Sequence, residues 1–288
     1  MPIMATTGSG QSNSGCLNPP IQPVTMAAAN QLRGSDMAAT AQPVSQEFNE
    51  RRVRVELAAM YRISHFYGWT DVIDTHLTAR VPGTDDQYFI NPYGLMFDEI
   101  TASTLLKVDF EGNVLEGDYP TNEAGHLIHT AVLKARPDLN VVLHTHARAS
   151  SAVSAMECGL LPISQQANEV IKLVRYHDYH NVVASPEAEC EALARDMGDD
   201  AKLMIMRNHG LLSGGRTMSE AFWLMMRLET ACKIQVDVLG SGQPYVTPSQ
   251  DAIDDLAAYA VNAEADDYDR YWQAALRLAH RKYPGFDA

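Results

Sequence analysis

The sequence has little of what marks a chain for nucleic acid, membrane or nucleotide work. Lysine and arginine number 22 against 36 aspartates and glutamates, for a net charge of −14. Nucleic acids and anionic lipid surfaces need a basic face, so neither is expected as a partner. No run of about 18 apolar residues could span a bilayer. No basic segment followed by an apolar core opens the chain, so the expected location is cytoplasmic. The four cysteines, Cys16, Cys158, Cys190 and Cys232, are scattered without C-x-x-C spacing. They read as small buried hydrophobes in a reducing compartment. No G-x-G-x-x-G follows a strand and no G-x-x-x-x-G-K-[ST] occurs, which disfavours nicotinamide and nucleoside triphosphate cofactors.

What remains is a chain of 288 residues, 46% hydrophobic, long enough for one large domain with a substantial core. Residues 1–44 are rich in Ser, Gly, Gln, Pro and Ala, too poor in apolar surface to offset ordering entropy, and are expected to form a flexible N-terminal arm. A helix follows from Ser45 as N-cap, with Val53, Leu57, Met60, Tyr61 and Ser64 on one face. The strand-like runs Thr75–Val81 and Tyr88–Asn91, joined by Pro-Gly-Thr-Asp-Asp, predict a hairpin. A helical turn over Ser103–Leu106 and a second hairpin, Val108–Phe110 with Val114–Leu115, come next. Helices are expected from Pro120–Glu123 to Ala135, from Arg148 to Cys158 and from Pro186 to Met197. Another should run from a capping box at Thr217–Glu220 to Gly240. A C-terminal helical extension, 241–288, would pack on the 45–240 domain or on a neighbouring subunit. Short hairpins among alternating strands and helices predict a mixed, largely antiparallel sheet covered by helices.

Two stretches organise this pattern. Asn140–His146 and Lys202–Gly210 are short apolar runs of buried-strand character, and each ends in histidine. In a strand, His144 and His146 share a face. His209 closes the second run, with Gly210 behind it to let the chain turn. Three neutral imidazoles with one open position suit a catalytic metal. The same spacing also fits ordinary hydrogen-bonded histidines at strand ends, and spacing alone does not choose between them.

An ordered set of motifs does. His76-Leu-Thr-Ala-Arg-Val-Pro82, Asn91-Pro-Tyr-Gly-Leu-Met-Phe-Asp-Glu99, Thr121-Asn-Glu123, His144-Thr-His146 and Arg207-Asn-His-Gly210 together resemble the class II aldolase/adducin family over residues 50–240. Ser154–Met156, Cys158–Ser164 and Tyr176–His180 look more like its adducin branch. The resemblance implies a three-layer αβα sandwich and a homotetramer with interfacial active sites. It also implies one divalent metal ion per subunit on His144, His146 and His209, with zinc placed ahead of manganese and cobalt. Glu123 matches the family's acidic residue, which ligates the resting metal and then serves as acid/base. Its place in the first turn of a helix suits a carboxylate.

Sugar-phosphate members hold phosphate with small hydroxyl-bearing turns. At the matching positions this chain carries Thr75, His76, Tyr93, Gly94, Thr121 and Asn122, so an unphosphorylated substrate is expected. Asn91 completes that set of contacts, as does Gln165, which falls where aldolases carry a proton-donating tyrosine. His177, Tyr179 and His180 are read as packing ahead of replacing that tyrosine. The expected activity is a metal-dependent carbon–carbon lyase acting on a small-molecule hydroxy or keto acid, or a hydroxylated aromatic acid. A cation that stabilises developing negative oxygen serves decarboxylation and retro-aldol cleavage alike; decarboxylation is placed ahead because His76 and Tyr93 replace small hydroxyl donors, as in the family's decarboxylases of hydroxylated ring acids. A non-catalytic adducin-like interaction module is the alternative from another class.

Overall fold

The computed structural model describes residues 46–179 and 184–288. The expected arm, the Ser45 cap and His180 lie outside them. The described residues belong to one compact unit. Eight strands make a single sheet: β1 (His76–Arg80), β2 (Gln87–Ile90), β3 (Leu106–Asp109), β4 (Val114–Glu116), β5 (Val141–Thr145), β6 (Val174–His177), β7 (Leu203–Met206) and β8 (Gly210–Gly215). Their spatial order is β4-β3-β2-β1-β5-β8-β7-β6. Among the described residues only β6 and β7 pair in parallel, so the sheet is mixed and largely antiparallel.

Alternation along each strand sends side chains to two separate cores, as the two-residue period requires. Leu77, Ala79, Val141, Leu143, Leu203, Ile205 and Leu211 face one of them. That core is closed by α1 (Gln46–Tyr67), α3 (Arg148–Ser154), α4 (Gln165–Val170), α6 (Met218–Gly240) and α8 (Asp269–Lys282). Tyr88, Ile90, Val108, Val142, Met204, Met206 and Leu212 face the other. There they meet Ile128 and Val132 of α2 (Glu123–Ala135) and Leu193 and Met197 of α5 (Pro186–Met197). The result is a three-layer αβα sandwich. Beyond residue 240, α7 (Gln250–Asn262) packs on α4 and α8 packs on α1 and α6. Phe286 is buried in the first core, and its carbonyl accepts from Ala102 N at 2.8 Å.

Several elements differ from the sequence-based expectation. The turn expected around Ser103–Leu106 lies slightly earlier, at Thr101–Thr104, where Thr104 N donates to Thr101 O at 3.2 Å, and β3 already starts at Leu106, pairing with Ile90. The helix after Arg148 stops at Ser154, where Ser154 Oγ donates to Ser151 O at 2.8 Å, a back-bond that competes with helix continuation. At α6 the Thr217 hydroxyl accepts from Glu220 N at 3.2 Å, as a capping box requires. The Glu220 carboxylate, however, accepts from Arg216 N at 2.6 Å, one residue earlier than that motif predicts.

β8 is the element the sequence does not announce. Its two terminal glycines argue against a strand by propensity, yet it fills the space between β5 and β7. Packing explains the composition: a Cβ on Gly215 would stand 2.5 Å from Ala221 N.

Candidate functional site

The sheet order brings three histidines to one place. β8 runs antiparallel beside β5, with Leu212 opposite His144 and Leu211 opposite Thr145. The residues just before β8 therefore lie beside His146, just beyond β5. Met206 pairs with Gly210, so residues 207–209 form a three-residue hairpin loop between β7 and β8. His209 is the last of these three. The loop is clamped from three sides: Arg207 N donates to His177 O at 2.8 Å, Asn208 N to Ser154 O at 3.3 Å, and Ser151 Oγ to His209 O at 3.1 Å.

Asn208, with φ +55°, takes the left-handed conformation that the turn needs. Gly210 is required for another reason than the expected turn. A Cβ there would stand 2.4 Å from Thr145 O and 2.9 Å from His146 Cδ2.

His146 Nε2 lies 2.9 Å from His144 Nε2 and 2.8 Å from His209 Nε2. The ring centroids are 4.6–4.8 Å apart. His144 Nδ1 donates to Leu211 O at 3.0 Å, and His146 Nδ1 to Asp71 Oδ2 at 3.1 Å. A carbonyl and a carboxylate can only accept, so both rings carry a proton on Nδ1, and in the neutral tautomer that this selects, Nε2 carries the lone pair. Two lone pairs facing each other at 2.9 Å repel unless positive charge lies between them. Burial opposes protonation: desolvation and the neighbouring rings hold His144 well below the ordinary histidine range and push His209 down to about 3. The three rings thus form a donor set able to hold a metal ion, of the kind that neutral imidazoles backed by hydrogen-bond acceptors provide. The Tyr179 ring lies tilted at 41° against His209, its centroid 4.0 Å away.

His76 belongs to the same cluster. It pairs with His144 across β1 and β5, and the two rings lie 5.0 Å apart. Beside it stands the head of α2, where Asn122 caps the helix by accepting from Gly125 N at 3.1 Å. Glu123 is the first residue of α2 and is exposed. Thr75 is buried, and among the described residues its hydroxyl has no partner. Thr121 is half-buried next to the cap. Tyr93 and Gly94 sit in a loop tied to this region by Tyr93 N donating to Pro120 O at 2.9 Å.

Two expected contacts lie elsewhere. Asn91 is buried, and its Oδ1 accepts from Tyr61 OH at 2.8 Å, which joins α1 to the sheet. Gln165 is exposed at the start of α4, which packs on α6 and α7, and it donates to Glu169 at 2.9 Å. His177 is buried between Asp196 and Glu189, at 2.8 and 3.0 Å. Sequence reasoning did not single out Asp71 or His129. Asp71 lies in a loop with no spacing signal. His129 shares α2 with Gly125 and His126, and an i, i+4 relation to Gly125 was the available clue.

The family profile described as "Class II Aldolase and Adducin N-terminal domain" matches residues 55–236. The chain belongs to the class II aldolase and adducin family. It is 41% identical over 239 residues to a putative aldolase class 2 protein of Caulobacter vibrioides, covering 82% of this chain and 92% of that one. It is 40% identical over 215 residues to alpha-adducin of Rattus norvegicus, covering 74% of this chain but only 28% of the adducin. Among solved structures, an aldolase II superfamily protein from Pseudomonas syringae superposes with a TM-score of 0.78 at 41% identity, over 86% of this chain and 98% of that one. Among the described residues, no helix is long and apolar enough to cross a membrane.

Proposed function

We propose that this family member is a divalent-metal-dependent carbon–carbon lyase acting on an unphosphorylated hydroxy or keto acid, or a hydroxylated aromatic acid, with decarboxylation ahead of retro-aldol cleavage. The observation that carries the reading is the convergence of the Nε2 atoms of His144, His146 and His209, two of them with Nδ1 committed to an acceptor. These three residues would hold one ion per subunit, zinc first, with manganese and cobalt as the other candidates. Such a cation supplies Lewis-acid stabilisation of negative charge developing on a substrate oxygen as a carbon–carbon bond breaks.

The chain's own residues do the rest. Glu123, exposed at the head of α2 beside the His76 ring, holds and returns the proton. His76 and Tyr93 stand where sugar-phosphate members place small hydroxyl donors, which favours a carboxylate or planar ring over a phosphate. In a homotetramer, the exposed side of this site would be completed by a neighbouring subunit.

Metal analysis of the purified protein tests the reading: about one ion per chain is expected, lost in His146→Ala. Glu123→Gln should keep fold and metal but lose carbon dioxide release in a screen of hydroxylated aromatic acids. Absence of metal after loading with excess zinc would sink the proposal. The 40% identity to alpha-adducin supports a second reading, a non-catalytic interaction module. That reading expects no metal-dependent rise in melting temperature with any small hydroxy acid.

A further inference from the structure

The two C-terminal helices carry charge in an arrangement that neither helix needs for itself. On α7, Asp251 and Asp255 are exposed, four residues apart and so on one side of the helix. On α8, Arg277 and Arg281 are exposed at the same spacing. Like charges at that spacing destabilise the helix that carries them. None of the four has an ion-pair partner among the described residues. Asp254, between the two aspartates, does have one, for Lys172 Nζ lies 2.8 Å from its Oδ1.

The helix ends account for half of this arrangement. Asp251 stands in the first turn of α7 and Arg281 in the last turn of α8, where the backbone dipole favours those signs. Asp255 and Arg277 lie beyond that turn, where the effect has faded. Their neighbours three and four positions away bring no opposite charge: Ala252, Ala258 and Tyr259 around Asp255, and Gln273, Ala274 and His280 around Arg277.

Between the two pairs lies an open groove lined by Tyr259, Asp267, Arg270, Tyr271 and Ala274. Tyr259 is 55% exposed and Tyr271 40%. α7 runs over α4, and α8 over α1 and α6, so the acidic and the basic pair lie on opposite sides of the tyrosines. Tyrosine and arginine are enriched where one protein surface meets another.

A face of this kind is complementary to itself. Turned about a two-fold axis through the tyrosines, a second copy sets its Arg277 and Arg281 against Asp251 and Asp255, and symmetry supplies the converse contact. We propose that the α7–α8 face is a two-fold docking surface for a second copy of this chain, with Tyr259 and Tyr271 at its centre and the two charged pairs on its flanks. The contact depends neither on the metal site nor on the lyase reading.

Sedimentation of the full-length protein tests it with two charge-reversed variants. One combines Arg277→Asp with Arg281→Asp, and the other Asp251→Arg with Asp255→Arg. Alone, each variant sets like charges against like across the axis and should sediment at half the wild-type mass. Mixed in equal amounts, the two answer each other at both contacts, and the mass should return to the wild-type value. Variants that keep the wild-type mass, or a mixture of folded variants that stays at half of it, overturn the proposal. If a reversal unfolds the chain, Tyr259→Cys decides, because two copies of a residue close to the axis should link into a covalent dimer on oxidation with diamide. Wild type, with Cys158 exposed, is the control for that link. No more dimer from Tyr259→Cys than from wild type overturns the proposal as well.

Discussion

Asp71 backs His146: its Oδ2 accepts from Nδ1 at 3.1 Å, on the side of the ring away from His144 and His209. The carboxylate is about half exposed, so its ion-pair contribution to stability is small. Its effect is on the tautomer, because a committed Nδ1–H leaves Nε2 as the free donor atom. Losing such a backing group typically weakens metal binding about 10–100-fold. Asp71→Ala should therefore lower zinc affinity by that order in a chelator competition, with the melting temperature of the metal-free protein little changed. An equal fall in metal-free stability would mean that Asp71 holds the loop and not the ring.

Gly210 lets β8 approach the end of β5 closely enough for His209 to meet His146. A Cβ there meets backbone, Thr145 O at 2.4 Å, as well as the His146 ring. Backbone in the middle of a sheet cannot step aside cheaply, and overpacking of this kind costs about 1–3 kcal/mol. Gly210→Ala should lower the melting temperature and weaken zinc binding together. Gly240→Ala, at the end of α6 with nothing within 4 Å of the added carbon, is the matched control and should be near neutral or slightly stabilising.

This close approach also marks what the sequence could and could not announce. The runs ending in His144–His146 and His209 were legible as strands because their apolar, β-branched character is local. The opening of α2 at Pro120–Glu123, Pro186–Met197 as α5 and the Thr217 cap of α6 were legible for the same reason. The neighbour relation that joins the two histidine strands was not. It depends on β8, whose glycines are dictated by Thr145 and Ala221, residues distant in sequence. The partners behind the rings share that property: Asp71 reaches His146 across 75 residues, and His129 reaches His76 across 53. No periodicity encodes contacts of that kind. The glycine after His209 was readable as special, but its reason, space and not turning, was visible only once β5 stood beside it.

Glu220 joins three elements through one buried carboxylate. Lys202 Nζ at 2.6 Å and Arg216 N at 2.6 Å both donate to it, and its side chain is fully buried. Arg216 and Lys202 hold its pKa below the usual carboxylate range although burial opposes them. Removing one partner of such a pair typically costs about 3–5 kcal/mol, because the remaining charge is stranded. Glu220→Ala should show a loss of that order in urea unfolding, and Lys202→Ala a smaller one, since Arg216 would still answer the carboxylate.

His129 gives the metal-free protein a defined acid sensitivity. Its ring, buried against Thr78 and His76, is pushed down to about 3 in the folded chain, against 6.5 for a free histidine. The unfolded state therefore binds more protons than the folded state between those two values, and stability rises with pH across the window. The contribution is fully present above about pH 6.5 and is lost as pH falls toward 3, at about 1.4 kcal/mol per pH unit for one histidine. Buried His76, His144 and His209 act with the same sign. Urea midpoints measured with chelator present from pH 7 to pH 4 should decline, and His129→Gln should be less stable at pH 7 yet decline less steeply. A slope unchanged by that substitution would place His129 outside the set of neutral buried rings.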